Sequence, residues 1–270
     1  MAYVTRDEMI EIFRDTEAFY KTDENLRQAI KDSIKGTKFY AAEDYPALPE
    51  RRFKNTTISV VRRRTLDAAI SMQRKHLELK IAVHNFASAT NPGGGVKHGS
   101  RAQEEALCRC STLYPVLNTD ANWKKFYTVN RERGDTLHDD ACLYTPEIVV
   151  CKSDIDKPAR LPRDKWELVD VITIAAPNLR NLTISDEELF ELQESRLRHM
   201  FTVVANHGAE IFVTGAFGCG AFQNNPEVVA EAYKKILPEF DGYFKEIVFA
   251  IYCRPQETIN FDTFRRILID

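Results

Sequence analysis

The sequence predicts an α/β sandwich around a mixed sheet. Three observations lead there. Short apolar runs rich in β-branched residues recur along the chain, helical segments lie between them, and two glycine-rich loops each follow a run and precede a helical segment.

The elements follow in order. Thr5-Arg-Asp-Glu8 is a capping-box pattern that opens a helix through about Tyr20, and a second helical stretch runs from Asp23 to Ile34. These make residues 1–50 an N-terminal helical extension packed on a catalytic unit of residues 51–270. After the break at Pro46 and Pro49, strands are expected at Thr56–Val61, Leu79–Phe86, Leu168–Ala175, Ile211–Thr214 and Ile247–Tyr252. Helices are expected at Thr65–Lys75, Gln103–Leu113, Ser185–Asn206 and Pro226–Leu237. The stretch Asp140–Lys152, interrupted by Pro146, reads as a further strand or a hairpin.

Composition narrows the function. A length of 270 residues with 44% hydrophobic content suffices for one substantial domain, and a net charge of −3 gives no general attraction to nucleic acid or membranes. An anionic ligand must therefore be held locally. The start of the chain, Met1 to Asp7, lacks the apolar core of a signal peptide, and no run reaches membrane-spanning length. An intracellular protein is expected, cytoplasmic or, in a eukaryote, nuclear. The six cysteines form no CxxC pair, so neither a disulfide framework nor a zinc finger is indicated, and the sequons at Asn55 and Asn181 read as chance.

The first informative window runs from His84 through Asn91-Pro-Gly93-Gly94-Gly95 to Gln103-Glu104-Glu105. Consecutive glycines let backbone approach a ligand and adopt positive φ, at a cost in chain entropy. The acidic pair falls in the first turn of the next helix, where exposed amides favour negative charge. Separately, each feature has an ordinary reading as a surface loop or a helix start. The second window runs from Ile211 through Gly215-Ala-Phe217-Gly218-Cys219-Gly220-Ala221-Phe222 to Gln-Asn-Asn-Pro226. Its amides are free to surround a diphosphate, and it lacks the lysine of a Walker loop.

Taken together, these windows resemble the macrodomain poly(ADP-ribose) glycohydrolases, particularly the compact microbial type. That family carries three glycines, a short spacer and Gln-Glu-Glu. Here these are Gly93-Gly94-Gly95, seven residues, and Gln103-Glu104-Glu105, with a diphosphate loop like Gly215–Phe222 more than a hundred residues later. Phe217 stands where tryptophan is more usual, and Asn225 where an acid is. The resemblance covers most of the chain, least in the first fifty residues. It implies a macrodomain-like three-layer α/β/α sandwich that removes ADP-ribose from the polymer, mainly from its end, and so reverses a DNA-damage or stress signal.

By position, the resemblance makes Glu105 the catalytic acid and Glu104 the residue that orients the ribose, with Gln103 fixing both. Gly218, Cys219, Gly220 and Ala221 would wrap the diphosphate, Phe222 would pack on the terminal ribose, and Asn91 is a weaker candidate for a ribose contact. No cofactor or metal is implied, and the protein is expected to be a monomer whose partners are poly(ADP-ribose) or an ADP-ribosylated protein as substrate and ADP-ribose as product. An isolated glutamate has a pKa of about 4.3, so an acid working near neutrality needs desolvation or a neighbouring negative charge. Cys108 and Cys110 read as helix-packing thiols and His84 and His98 as hydrogen-bonded structure. Arg62-Arg63-Arg64 reads as a solvated strand end within reach of polymer phosphates. Three other readings compete: a hydrolase for single ADP-ribose units, a non-catalytic ADP-ribose reader, and a nucleotide-binding structural module.

Overall fold

A computed structural model describes residues 4–270; residues 1–3, part of the signal-peptide argument, lie outside it. Thr5 and Glu8 form the expected capping box, with the Glu8 amide donating to Thr5 Oγ1 at 3.2 Å and the Thr5 amide to Glu8 Oε2 at 2.7 Å. This opens α1 (Arg6–Thr22). Asp23 Oδ1 then accepts from the amides of Asn25 and Leu26, capping α2 (Glu24–Gly36).

Seven strands form one sheet: β1 (Lys38–Tyr40), β2 (Thr57–Val61), β3 (Ile81–Phe86), β4 (Cys142–Val150), β5 (Glu167–Ile174), β6 (Ile211–Thr214) and β7 (Glu246–Ala250). Their spatial order is β1-β4-β5-β3-β6-β7-β2. The run from β5 to β2 is parallel, while β4 and β1 add an antiparallel edge. Alternate residues of the parallel strands serve opposite faces: Ala82, Ile172, Phe212 and Phe249 enter one apolar cluster, and Val83, Val171, Val213 and Val248 the other. The first cluster packs under α8 (Asp186–Asn206), α9 (Pro226–Ile236) and α10 (Ile259–Leu268). The second packs under α3 (Thr65–Lys75), α4 (Gln103–Cys110), α5 (Leu113–Leu117) and Phe13 of α1. Three layers result, as the sequence predicts.

Some elements differ from expectation. Helix α4 stops at Cys110 rather than Leu113, because Ser111 turns extended at φ −146° to bridge Val150 and the Thr112 amide bonds to Val149. The chain then forms α5 and a helical run of α6 (Asp120–Asn122), a π turn at Trp123–Tyr127 and α7 (Thr128–Arg133). The ambiguous stretch around Pro146 is one strand, β4, carrying a bulge between Thr145 and Ile148. Proline has no amide to give the ladder; instead the next amide, from Glu147 at φ +55°, donates to Asp170 at 3.0 Å. Among the described residues no helix is long and apolar enough to cross a membrane.

Candidate active site

Strands β3 and β6 are parallel neighbours at the middle of the sheet, so the loops after them emerge side by side at the carboxyl ends. The chain passes to opposite sides of β3 before and after β5, and such a reversal opens a crevice. Here it is a cleft of about 1070 Å³ between the two glycine loops. Beneath it His84 Nδ1, Thr214 Oγ1 and Tyr233 Oη form a buried chain at 3.0 and 2.8 Å, tying β3 to β6 and α9. Burial holds the His84 imidazole well below its usual pKa, and the ring acts as structure, as expected.

The β3–α4 loop organises itself around carboxylates. Gln103 staples the start of α4 to β3: its Oε1 accepts from the Phe86 amide at 2.9 Å, and its Nε2 donates to the His84 carbonyl at 2.6 Å and to Thr65 Oγ1 at 3.0 Å. Glu104, only 2% exposed, accepts from the Ser88 amide at 2.8 Å, the Gly93 amide at 3.2 Å and Asn85 Nδ2 at 3.3 Å. Burial pushes its carboxyl up to about 8 against the Ser88 amide, with the neighbouring Glu105 carboxylate adding to the rise.

Glu105, 6% exposed, is held by one oxygen: Oε1 accepts from the Gly95 amide at 2.8 Å, while Oε2 is buried and among the described residues has no hydrogen-bond partner. The glycine between these contacts is obligatory for shape. Gly94 has φ +55°, and a Cβ there would stand 2.4 Å from Glu105 Oε1 and 3.1 Å from Glu104 Oε2. Gly94, Gly95, Gln103, Glu104 and Glu105 line the cleft. Gly93 lies behind it, where a Cβ would meet the Tyr114 ring at 2.7 Å. Asn91 lines the rim, its Oδ1 accepting from Arg131 at 2.5 Å.

The β6–α9 loop is built differently. Gly218 turns at φ +77°, pressed against Ala176 and Asn224, and its carbonyl accepts from the Asn224 amide at 3.0 Å. The buried Asn224 side chain donates to the Pro177 carbonyl at 2.7 Å, and its Oδ1 accepts from Gln193 at 2.7 Å. Among the described residues, the amides of Gly218, Gly220, Ala221 and Phe222 meet no protein acceptor. These four residues line the cleft. Gly215 sits beneath, packed on the Ala250 carbonyl, and the Cys219 thiol turns into the core, its pKa raised by burial. Phe217 is fully buried, its ring 4.4 Å from His84, and Asn225 caps α9 through the Glu227 amide at 3.1 Å.

Several contributors escaped the sequence: Asn85 and Ser88 fix Glu104, Asn224 shapes the second loop, and Arg131 and Arg180 stand on the rim. Asn85, Ser88 and Asn224 lie inside the two loop windows, without a role assigned to them there; the arginines are brought in by the fold. Cys108 and Cys110 are fully buried, as expected. Arg62, Arg63 and Arg64 are not free cations, because they pair with Asp262, Asp67 and Asp156 at 3.5, 3.6 and 2.6 Å.

The same architecture is found in solved enzymes. The chain is similar to poly(ADP-ribose) glycohydrolase from Thermomonospora curvata, with a TM-score of 0.85 and 28% identity over 96% of this chain and 99% of that one. The same enzyme bound to the inhibitor ADP-HPD gives a TM-score of 0.83 and 29% identity, covering 96% and 98%. Poly(ADP-ribose) glycohydrolase from Deinococcus radiodurans in complex with ADP-ribose gives 0.78 and 34%, covering 89% and 97%. Among curated proteins none matches by sequence. The microbial-type PARG catalytic domain matches residues 7–153, which carry the glycine run and both glutamates. With its mixed seven-stranded sheet and N-terminal helices, the chain belongs to the microbial-type poly(ADP-ribose) glycohydrolase family and is a catalytic domain of macrodomain-like fold.

Proposed function

We propose that this chain hydrolyses the ribose–ribose O-glycosidic bond of poly(ADP-ribose), mainly from the polymer end, releasing ADP-ribose through general acid and base catalysis by Glu105. The observation that carries the reading is the Glu105 carboxyl: Oε1 is anchored to the Gly95 amide at 2.8 Å while Oε2 is buried on the cleft wall with no partner among the described residues. A positioned carboxyl oxygen with unused capacity is what proton delivery to a departing oxygen needs.

In this reading the open amides of Gly218, Gly220, Ala221 and Phe222 receive the diphosphate, whose oxygens are acceptors only. The Phe222 ring packs on the ribose and turns its anomeric carbon toward Glu105. Glu104, clamped by three donors, orients the ribose hydroxyls. A proton on Glu105 passes to the leaving ribose oxygen as the glycosidic bond breaks. Water then adds to the oxocarbenium-like carbon and returns a proton to Glu105. Residues 1–50 serve as an extension clamped to the 51–270 unit, supported by Thr16 Oγ1 donating to the Arg109 carbonyl at 2.7 Å on the catalytic helix.

The test compares wild type with Glu105→Gln on defined poly(ADP-ribose) and on ADP-ribosylated serine and glutamate peptides. Turnover of polymer should fall about 1,000-fold while ADP-ribose binding is retained. Wild-type turnover by the variant would sink the assignment. Cleavage of the peptides alone would identify a hydrolase of single units, and tight binding of ADP-ribose with no turnover a reader.

A further inference from the structure

The two ends of the cleft differ in how their cations are compensated. At the end under β2 and β7, Arg63 and Arg64 are each paired with a carboxylate. At the end under β5, Arg131 and Arg180 are exposed and among the described residues neither forms an ion pair. Both are nonetheless held in place by neutral groups. Arg131 donates to the Thr90 carbonyl at 2.7 Å and to Asn91 Oδ1 at 2.5 Å, with its guanidinium 4.5 Å over the Trp123 ring. Arg180 donates to the Ala221 carbonyl at 2.6 Å and lies 5.8 Å from the Phe222 ring.

We propose that Arg131 and Arg180 form an anion-binding rim for the diphosphate of the leaving ADP-ribose unit. This rests on the glycohydrolase reading above. Each arginine grips one of the two loops that meet at the reacting ribose: Arg131 the turn into the glycine run, Arg180 the residue before Phe222. Arg180 takes the Ala221 carbonyl, whereas the unbonded amides of the same loop serve the diphosphate that stays bound. That leaves the rim for what lies beyond the scissile bond in the proposal. In a polymer that is another ADP-ribose with two negative charges of its own; on a serine residue it is neutral. Arginines already ordered by carbonyl and aromatic contacts lose little freedom on meeting an oxyanion, and a guanidinium without a counter-ion keeps its full attraction.

The experiment measures kcat/KM of wild type, Arg180→Gln and Arg180→Lys on poly(ADP-ribose), on an ADP-ribose carrying an uncharged aryl leaving group, and on an acidic mono-ADP-ribosylated peptide, at low and high salt. Arg180→Gln should lose about fivefold on polymer at low salt and under about twofold on the aryl compound, with Arg180→Lys recovering most of the loss. The wild-type preference for polymer should shrink as salt rises. Arg131→Gln, checked for an unchanged Tm, should act in the same direction.

Equal losses on polymer and aryl substrate would overturn the proposal, since the arginine would then only shape its loop. So would an unchanged ratio, or a larger loss on the acidic peptide than on polymer. A wild type inactive on all three substrates would instead bring down the glycohydrolase reading and the rim with it.

Discussion

In the loop of residues 91–105 the side chains of Gln103 and Glu104 are bonded to other parts of the protein, whereas in the loop of residues 215–224 a row of amides is left open. Glu104 takes three donors and Gln103 makes three bonds, so both side chains are fixed, while Glu105 Oε2 is buried without a partner among the described residues. The second loop is supported from behind by Asn224 and presents only main-chain donors. Glycine serves both, yet for different ends. Gly94 makes room for carboxylates belonging to the protein, and Gly218 makes the turn that exposes amides. A catalytic group must be held still, while a binding surface must stay unsatisfied until the ligand arrives.

Three substitutions break this contrast, in decreasing order of effect. The largest is expected at Glu104, whose carboxyl is raised to about 8 by burial. The folded form then holds a proton that the unfolded chain releases near its ordinary value. This contribution to stability is complete below the unfolded pKa and is lost as pH rises through 8. Glu104→Gln removes the dependence, so unfolding by denaturant at pH 5 and pH 8.5 should show the variant gaining on wild type by about 4 kcal/mol between the two. An unchanged difference would mean that folding does not change the protonation of Glu104 between these pH values.

Next is Gly94→Ala. Its Cβ would meet Glu105 Oε1 at 2.4 Å from a backbone at φ +55°, forcing the acid to move. A displacement on the order of 1 Å is worth about 100-fold in kcat, or roughly 2.7 kcal/mol, and ADP-ribose affinity measured by calorimetry should change far less. The smallest effect is expected at Asn224→Ala, which strips the support of the second loop. It should cost about 2 kcal/mol of stability and weaken ADP-ribose binding more than it lowers kcat. The reverse pattern would show that the second loop also positions the reacting group.

The fold was legible wherever a local signal was long or sharp. The capping box at Thr5, the alternating strands and Pro226 at the first turn of α9 all lie where the pattern put them. Strand β1 has only three residues and gains its identity from pairing with β4, so no window of sequence reveals it. Helix α10 was missed, and its preceding residue Thr258 makes no side-chain cap to announce it. In the site, contiguous motifs were readable and their supports were not. Gln193, Asn224 and Pro177 lie on three segments that only the folded chain assembles behind Gly218. The end of α4 was misplaced because Ser111 abandons the helix to bridge β4, a contact with no local trace.

Lys152, 1% exposed, donates to the Ile12 carbonyl and pairs with Asp15, both at 2.8 Å, which fixes α1 against the end of β4. Those partners are 140 residues apart in the chain. At about 5–20 residues per second, a nascent chain exposes α1 roughly 7–28 s before the lysine that receives it. The partners that cover Phe13 and bond Thr16, Tyr114 and Arg109, precede that lysine in the chain, so the buried ion pair is the last of these anchors to be made. Lys152 therefore locks the first helix only after the glycine loop and both glutamates have been made.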